Sequence, residues 1–297
     1  MNFFIEVLVG GLLAGVMYSL VALGFVLIYK ASGVFNFAQG AMVFLAALTF
    51  VSLLEMKWEF WLALLATLAV MVLLGVLTER IVLRPLVNQP PITLFMATIG
   101  LTFVLEGLSQ MVWGSQPHGL EFGIEDVPIE WLSQKWNINV SKFDLFAAAV
   151  AGLLVGGLAL FFQKTRIGRA LRAVADDHQA ALAAGISLQH IWAIVWAVAG
   201  FVALVAGMMW GVRNGVQYAL TFTALKALPV LILGGFESVP GAIIGGLIIG
   251  ASEKLAEVYI GPYVGGGIES WFAYVIALLF LLVRPQGLFG EKIIDRV

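Results

Sequence analysis

The sequence predicts an all-α membrane protein: a polytopic helical bundle of about eight or nine spans, some of them broken or re-entrant. Three observations predict it. Of the 297 residues, 61% are apolar and only 11% charged, with a mean hydropathy of +1.01; soluble domains carry about 25% charged residues. The apolar residues gather into runs divided by short polar breaks. Lysine and arginine divide unevenly between the connecting stretches, as they do across a membrane.

Nine apolar runs lie near 3–29, 37–54, 60–82, 92–113, 144–162, 190–212, 222–235, 240–257 and 269–283. The first carries only Glu6, near its start, and has no basic n-region. It exceeds the roughly 7–15 residues of a signal-peptide core, so it reads as a span, which needs about 20 apolar residues. The seventh is too short to cross alone and meets the eighth after Gly234–Val239. Broken backbone at membrane depth is tolerated where protein or a watery cavity surrounds it. The whole chain, 1–297, reads as one transmembrane domain, with an acidic external loop at 114–143 and a basic cytoplasmic stretch at 163–189.

Orientation follows from the basic residues. Placing Lys164, Arg166, Arg169 and Arg172 inside brings Lys30, Arg80, Arg84, Arg284, Lys292 and Arg296 inside by alternation. Lys57, Lys135, Lys142 and Arg213 fall outside, and Lys226 and Lys254 lie within runs. The expectation is an external N-terminus and a cytoplasmic C-terminus. Runs one to four and six to nine then have opposite sense, which suggests an inverted repeat.

Glycines recur one helical turn apart: Gly11 and Gly15, Gly152 and Gly156, Gly241 and Gly245, Gly246 and Gly250. Such pairs let helix backbones approach closely within a bilayer, and tight packing is their expected role.

Composition excludes several chemistries. Without cysteine there is no disulfide framework or thiol nucleophile. His118, His178 and His190 share no metal-ligand spacing, and no basic tail suggests nucleic acid. Gly250-Ala251-Ser252 resembles a serine nucleophile turn, but no histidine follows His190 to serve it.

Polar residues inside the apolar runs are the candidates for function. Asn36 and Gln39 stand between Gly33 and Gly40, where amides can donate and accept. Thr98, Thr102 and Glu106 share one helix face, continued approximately by Ser109 and Gln110. A carboxyl within a span turns inward, and Lys226 is its candidate partner. These residues read either as a solute path or as a turn and a structural Glu–Lys pair. Gly234 and Gly235, with Pro240 and Gly241, read as a hinge, a gate or a plain helix hairpin. The stretch Thr165–Ile186 holds Arg169, Arg172, Asp176 and Asp177, and then a small-residue run through Ala181 that Gly185 closes. That run predicts a helix with a face that something covers.

The sequence resembles the H-type permease subunits of branched-chain amino acid ABC importers. The resemblance rests on GVFNFAQG (33–40), ERIVLRPL (79–86), TRIGRALRAVADDHQAALAAGI (165–186), LGGFESVPGAIIGG (233–246) and RPQGLFG (284–290), in the family's order. Phe236-Glu237 departs from the family's small or aliphatic residue and glycine, and Gln39 stands where histidine is common. The resemblance implies a permease fold shared with sugar and nucleoside permeases. It also implies a second homologous permease, two cytoplasmic ATPases, an external solute-binding protein and a bacterial or archaeal plasma membrane. Asn36, Gln39, Thr98, Thr102 and Glu106 would line the substrate path. Arg169, Asp176, Ala181 and Gly185 would belong to the segment that couples to an ATPase; the alternative for Arg169 and Arg172, from their charge at a cytoplasmic surface, is contact with anionic headgroups. No cofactor is expected on this chain, because it has no phosphate-binding G-x-x-x-x-G-K-[ST] loop; ATP would be used by the partners. Two alternatives stay open: the same architecture carrying urea, amides or sugars, and an ion-coupled secondary transporter using Glu106 and Lys226.

Overall fold

The computed structural model describes residues 2–86, 89–124 and 126–290, the side chain of His178 excepted. Lys292 and Arg296, which contribute to the expected orientation, lie outside the described residues. Fourteen α-helices follow one another among the described residues. They are α1 (Asn2–Ser32), α2 (Gln39–Glu55), α3 (Phe60–Leu77), α4 (Pro91–Trp113), α5 (Glu130–Trp136), α6 (Lys142–Lys164) and α7 (Arg166–Asp176). Then come α8 (His178–Ala183), α9 (Leu188–Asn214), α10 (Ala219–Leu225), α11 (Ala227–Gly234), α12 (Val239–Tyr259), α13 (Gly261–Val264) and α14 (Phe272–Val283).

All nine apolar runs are helical. Six helical stretches are long and apolar enough to cross a membrane: Asn2–Ser32, Phe60–Leu86, Pro91–Trp113, Lys142–Lys164, Leu188–Asn214 and Val239–Tyr259. The other three runs are the shorter Gln39–Glu55, Ala219–Gly234 and Phe272–Val283. The seventh run is broken as expected: α10 ends at Leu225, Lys226 intervenes, and α11 begins at Ala227. The third differs from a simple helix. After α3 the chain widens into a π-helical turn at Thr78–Leu83 and then tightens into a 3-10 turn at Arg84–Leu86. Here Glu79 is buried and takes Arg84 Nε at 3.2 Å and Nη2 at 3.1 Å, which satisfies both carboxylate oxygens.

The chain divides into two compact units. One comprises Met1–Leu23, Phe122–Gly156 and Lys226–Val297; the other comprises Gly24–Glu121 and Gly157–Leu225.

In the first unit, α1 and α12 run antiparallel through glycine. A Cβ on Gly11 would lie 2.7 Å from the Gly250 carbonyl oxygen, and one on Gly15 would lie 2.5 Å from that of Gly246. Backbones this close exclude any side chain, and the contact gains dispersion energy where water expulsion offers none. Ser19 Oγ joins them, 2.9 Å from Gly15 O and 3.2 Å from Ile243 O. Three of the four glycine pairs therefore pack as expected. The fourth does not: Gly156 has open space beside it, and Gly152 meets only Val16. The helix α5 is tied to the start of α1, because Asn2 Nδ2 donates to Trp136 O (2.8 Å) and Asn139 N donates to Glu6 Oε2 (3.0 Å).

In the second unit, α9 is the central helix. Gly75 of α3 approaches the Trp196 backbone, Gly200 approaches Met71 O, and Gly207 approaches Val43 O of α2. The helix α2 is buried almost throughout from Gln39 to Val51. By contrast, α3 and α4 leave Trp61, Leu65, Leu73, Met96 and Phe103 exposed. A soluble monomer rarely exposes so much apolar surface; lipid or other subunits must cover it.

Candidate functional site

The segment between α1 and α2 dips into the second unit as a loop held from every side. Gly33 takes a positive φ of 69° and turns the chain out of α1. Asn36 and Gln39 are fully buried. Asn36 Oδ1 caps the loop by accepting Ala38 N (3.0 Å), and Asn36 Nδ2 donates to Gln39 Oε1 (3.3 Å). Gln39 Nε2 donates to Ala199 O of α9 at 3.4 Å and lies against Gly24, where a Cβ would stand 2.8 Å away. Thr98 of α4 closes the loop: its Oγ1 accepts Phe37 N (3.3 Å) and lies 3.2 Å from Phe35 O and 2.9 Å from Phe95 O. Phe25 stacks on Phe35 with centroids 4.7 Å apart, and Phe35–Phe37 and Phe37–Phe95 continue edge to face at 4.7 and 4.9 Å. An apolar cavity of about 300 Å³ adjoins the loop, lined by Tyr29, Gly33, Val34, Phe35, Pro91, Ile92 and Phe95.

The polar stripe of α4 turns inward at Thr98, Glu106 and Ser109, while Gln110 is exposed. Thr102 Oγ1 bonds Thr98 O (2.9 Å) and Ser109 Oγ bonds Leu105 O (2.7 Å), so both serve their own helix. Glu106 and Lys226, expected as a pair, each have another partner within their own unit. Glu106 Oε2 accepts the Tyr218 hydroxyl at 3.2 Å, and Lys226 Nζ instead meets Glu253 Oε1 at 2.9 Å. Glu253 also lies inside an apolar run, and the sequence reading did not single it out. Thr221, also passed over, is buried beside Gly40 with an Oγ1 that has no hydrogen-bond partner among the described residues.

The four residues read as a hinge build a hairpin. Gly235, with φ 102°, ends α11, and Ser238 Oγ accepts Gly241 N (3.0 Å) to start α12, with Pro240 in its first turn. Gly234 and Gly241 meet so closely that neither can carry a side chain. The 284–290 motif crosses this hairpin: Leu288 N and Phe289 N donate to Leu233 O (2.8 Å) and Gly234 O (3.1 Å). Those are terminal carbonyls that α11 itself cannot satisfy.

The stretch 165–186 folds as two helices, not one. Thr165 caps α7 by accepting Gly168 N (3.2 Å). Leu171 and Val174 of α7 are buried, whereas Arg169 and Asp176 are exposed. Asp177 then breaks the helix and caps α8, accepting Gln179 N (2.8 Å) and Ala180 N (3.0 Å). The Asp before an alanine run is the sequence signal for that cap. Gly185, with φ 80°, ends α8 as expected: Ile186 N bonds Ala181 O and Gly185 N bonds Leu182 O, the pairing that closes a helix on a left-handed residue. Ala181 is covered by this chain itself, while Leu182, Ala183, Ala184 and Gly185 are exposed. The Arg172 guanidinium caps the end of α6 at Phe162 O (2.7 Å) and Gln163 O (3.3 Å).

Long apolar spans and a broken apolar helix define a multi-pass membrane protein. The chain matches the family described as "Branched-chain amino acid transport system / permease component" over residues 7–284, and it belongs to that family. It is 27% identical to the high-affinity branched-chain amino acid transport system permease protein LivH of Salmonella typhimurium, across 99% of this chain and 98% of the relative. It is 28% identical to the corresponding protein BraD of Pseudomonas aeruginosa, again across 99% and 98%. Membership makes the chain one component of a larger transport system.

Proposed function

We propose that the chain is the membrane-spanning permease subunit of an ABC importer that carries branched-chain or similar amino acids into the cell. The observation that carries this reading is the family match from residue 7 to residue 284, which spans the buried loop, the α7–α8 segment and the hairpin together. A second homologous permease, two cytoplasmic ATPases and an external solute-binding protein complete the system. The chain sits in a bacterial or archaeal plasma membrane with its N-terminus outside. It binds no cofactor, and ATP is hydrolysed on the partners.

Within this reading the apolar cavity beside Phe35 and Phe95 suits an aliphatic side chain, which gains by leaving water. The exposed end of α8, from Leu182 to Gly185, is the surface that an ATPase groove covers. Asn36, Gln39 and Thr98 shape the wall of the path, and Thr102 and Glu106 continue it. Co-expression with the neighbouring transport genes tests the reading. Stimulation of ATPase activity by leucine and its binding protein supports it. Stimulation by a sugar or urea, with none by any amino acid, rejects the substrate.

A further inference from the structure

The chain around α5 encloses a second cavity, of about 420 Å³, lined by Val127, Pro128, Glu130, Ser133, Gln134 and Lys142. All six residues belong to the first unit. Hydrogen bonds hold the cavity in shape. Ile129 N donates to Val140 O and Lys142 N donates to Val127 O, both at 3.0 Å. Ser133 Oγ donates to Asn139 Oδ1 at 2.9 Å, and the Ser141 hydroxyl bonds the Asp126 carboxylate. The two charges on the lining are opposite in sign. Glu130 and Lys142 are both exposed, and neither joins an ion pair among the described residues. A ligand that carries both charges satisfies the two side chains at once.

The cavity stands at the edge of the membrane. Lys142 is the first residue of α6, which is long and apolar enough to span. Phe146, Ala149 and Leu153 follow it on one helix face, four, seven and eleven residues on. All three are exposed, Leu153 by 79%. Exposed aromatic residues mark the same level. Trp131 and Trp136 share α5 with Glu130, Ser133 and Gln134, and Asn2 ties Trp136 to the start of α1. Phe3, one residue further along α1, meets the exposed Tyr259 with ring centroids 6.4 Å apart. Tryptophan and tyrosine gather where membrane meets water. A polar cavity with both charges thus tops an apolar helix face.

We propose that this cavity is a lipid site for a phospholipid with a primary-ammonium headgroup, phosphatidylethanolamine. Lys142 Nζ donates to the phosphate, and the Glu130 carboxylate accepts from the ammonium. The acyl chains run down α6 over Phe146, Ala149 and Leu153. A choline headgroup has no N–H to offer Glu130, and a glycerol headgroup has no positive charge, so both bind less well. The inference rests on the membrane placement of α6 and not on the importer reading.

Photo-crosslinking tests the site. The full chain, with the subunits that co-purify with it, is placed in nanodiscs of phosphatidylethanolamine, phosphatidylcholine and phosphatidylglycerol in equal parts. A trace of one lipid at a time carries a diazirine on its acyl chain, and crosslinked peptides are mapped by mass spectrometry. In the unaltered chain phosphatidylethanolamine should label 142–153 more than either other lipid. Lys142→Gln should lower that labelling about fivefold, roughly the worth of one basic residue at a lipid surface. Lys142→Arg should keep it. Glu130→Gln should erase the preference over phosphatidylcholine. Equal labelling of the unaltered chain by the three lipids would overturn the site, whatever the variants do. So would labelling that ignores both Lys142→Gln and Glu130→Gln, or labelling that free leucine displaces, which would make the cavity a solute site.

Discussion

Gly15 of α1 and Gly246 of α12 are in backbone contact, each blocking a side chain on the other: a Cβ on Gly15 would stand 2.5 Å from Gly246 O, and one on Gly246 would stand 2.6 Å from Gly15 O. Gly15→Leu or Gly246→Leu should therefore push α1 from α12 and destabilise the protein by at least the roughly 1–3 kcal/mol of an overpacked core. Gly10→Leu and Gly156→Leu, at positions with open space, should leave melting in detergent unchanged. Equal losses at all four positions would mean that the α1–α12 contact is misplaced.

Asn36 caps its loop through Ala38 N and holds Gln39. Asn36→Ala should leave buried groups unpaired and cost about 1–3 kcal/mol, measured as a lower melting temperature. In resting protein a cysteine at Asn36 or Gln39 should resist aqueous thiol reagents, while one at exposed Gly33 reacts. Reaction at Asn36 or Gln39 during turnover marks them as wall of the path; protection in every state marks them as packing.

Replacing residues of α8 separates docking from folding. Leu182 is 49% exposed and Ala181 only 2%. Leu182→Arg should release the ATPases or abolish leucine-stimulated hydrolysis, with the permease still stable. Ala181→Trp should lower stability itself, by about 1–3 kcal/mol. Co-purification and melting of the two variants check this. Normal ATPase binding and uptake by Leu182→Arg would remove α8 from the docking surface.

The cavity beside the buried loop should set substrate size. Ile92→Trp narrows it from its open edge and should reduce leucine uptake more than alanine uptake. A single added contact of this kind shifts preference by about 1–3 kcal/mol. Parallel losses for both substrates would show that the cavity does not read the side chain.

Hydropathy alone located all nine apolar helices, because lipid-facing and buried spans both exclude charge. The glycine spacing marked the faces of α1 and α12 that pack closely, since only glycine permits such approach, but not the helices that meet them. It misled at Gly152 and Gly156, which lack a close partner helix, because spacing says that a face is small but not what meets it. The expectation of a Glu106–Lys226 pair has the same origin. Along the chain both are charges within apolar runs, yet Tyr218 and Glu253 take them, and long-range proximity is not periodic. The resemblance to a family located the α7–α8 segment, but the break at Asp177 and the burial of Ala181 depend on local capping and tertiary cover. The π-helical turn at Thr78–Leu83 left no periodic signal.

Uptake tests the central claim most directly. The chain is reconstituted into liposomes with its co-expressed permease, ATPases and binding protein, and labelled leucine is offered on the face that carries the N-terminus. The account predicts accumulation that needs ATP on the opposite face, needs the binding protein, and is suppressed by excess isoleucine or valine but not by ribose. Leucine uptake driven by an ion gradient with no ATPase present, or ATP-driven uptake of ribose and of no amino acid, would contradict it.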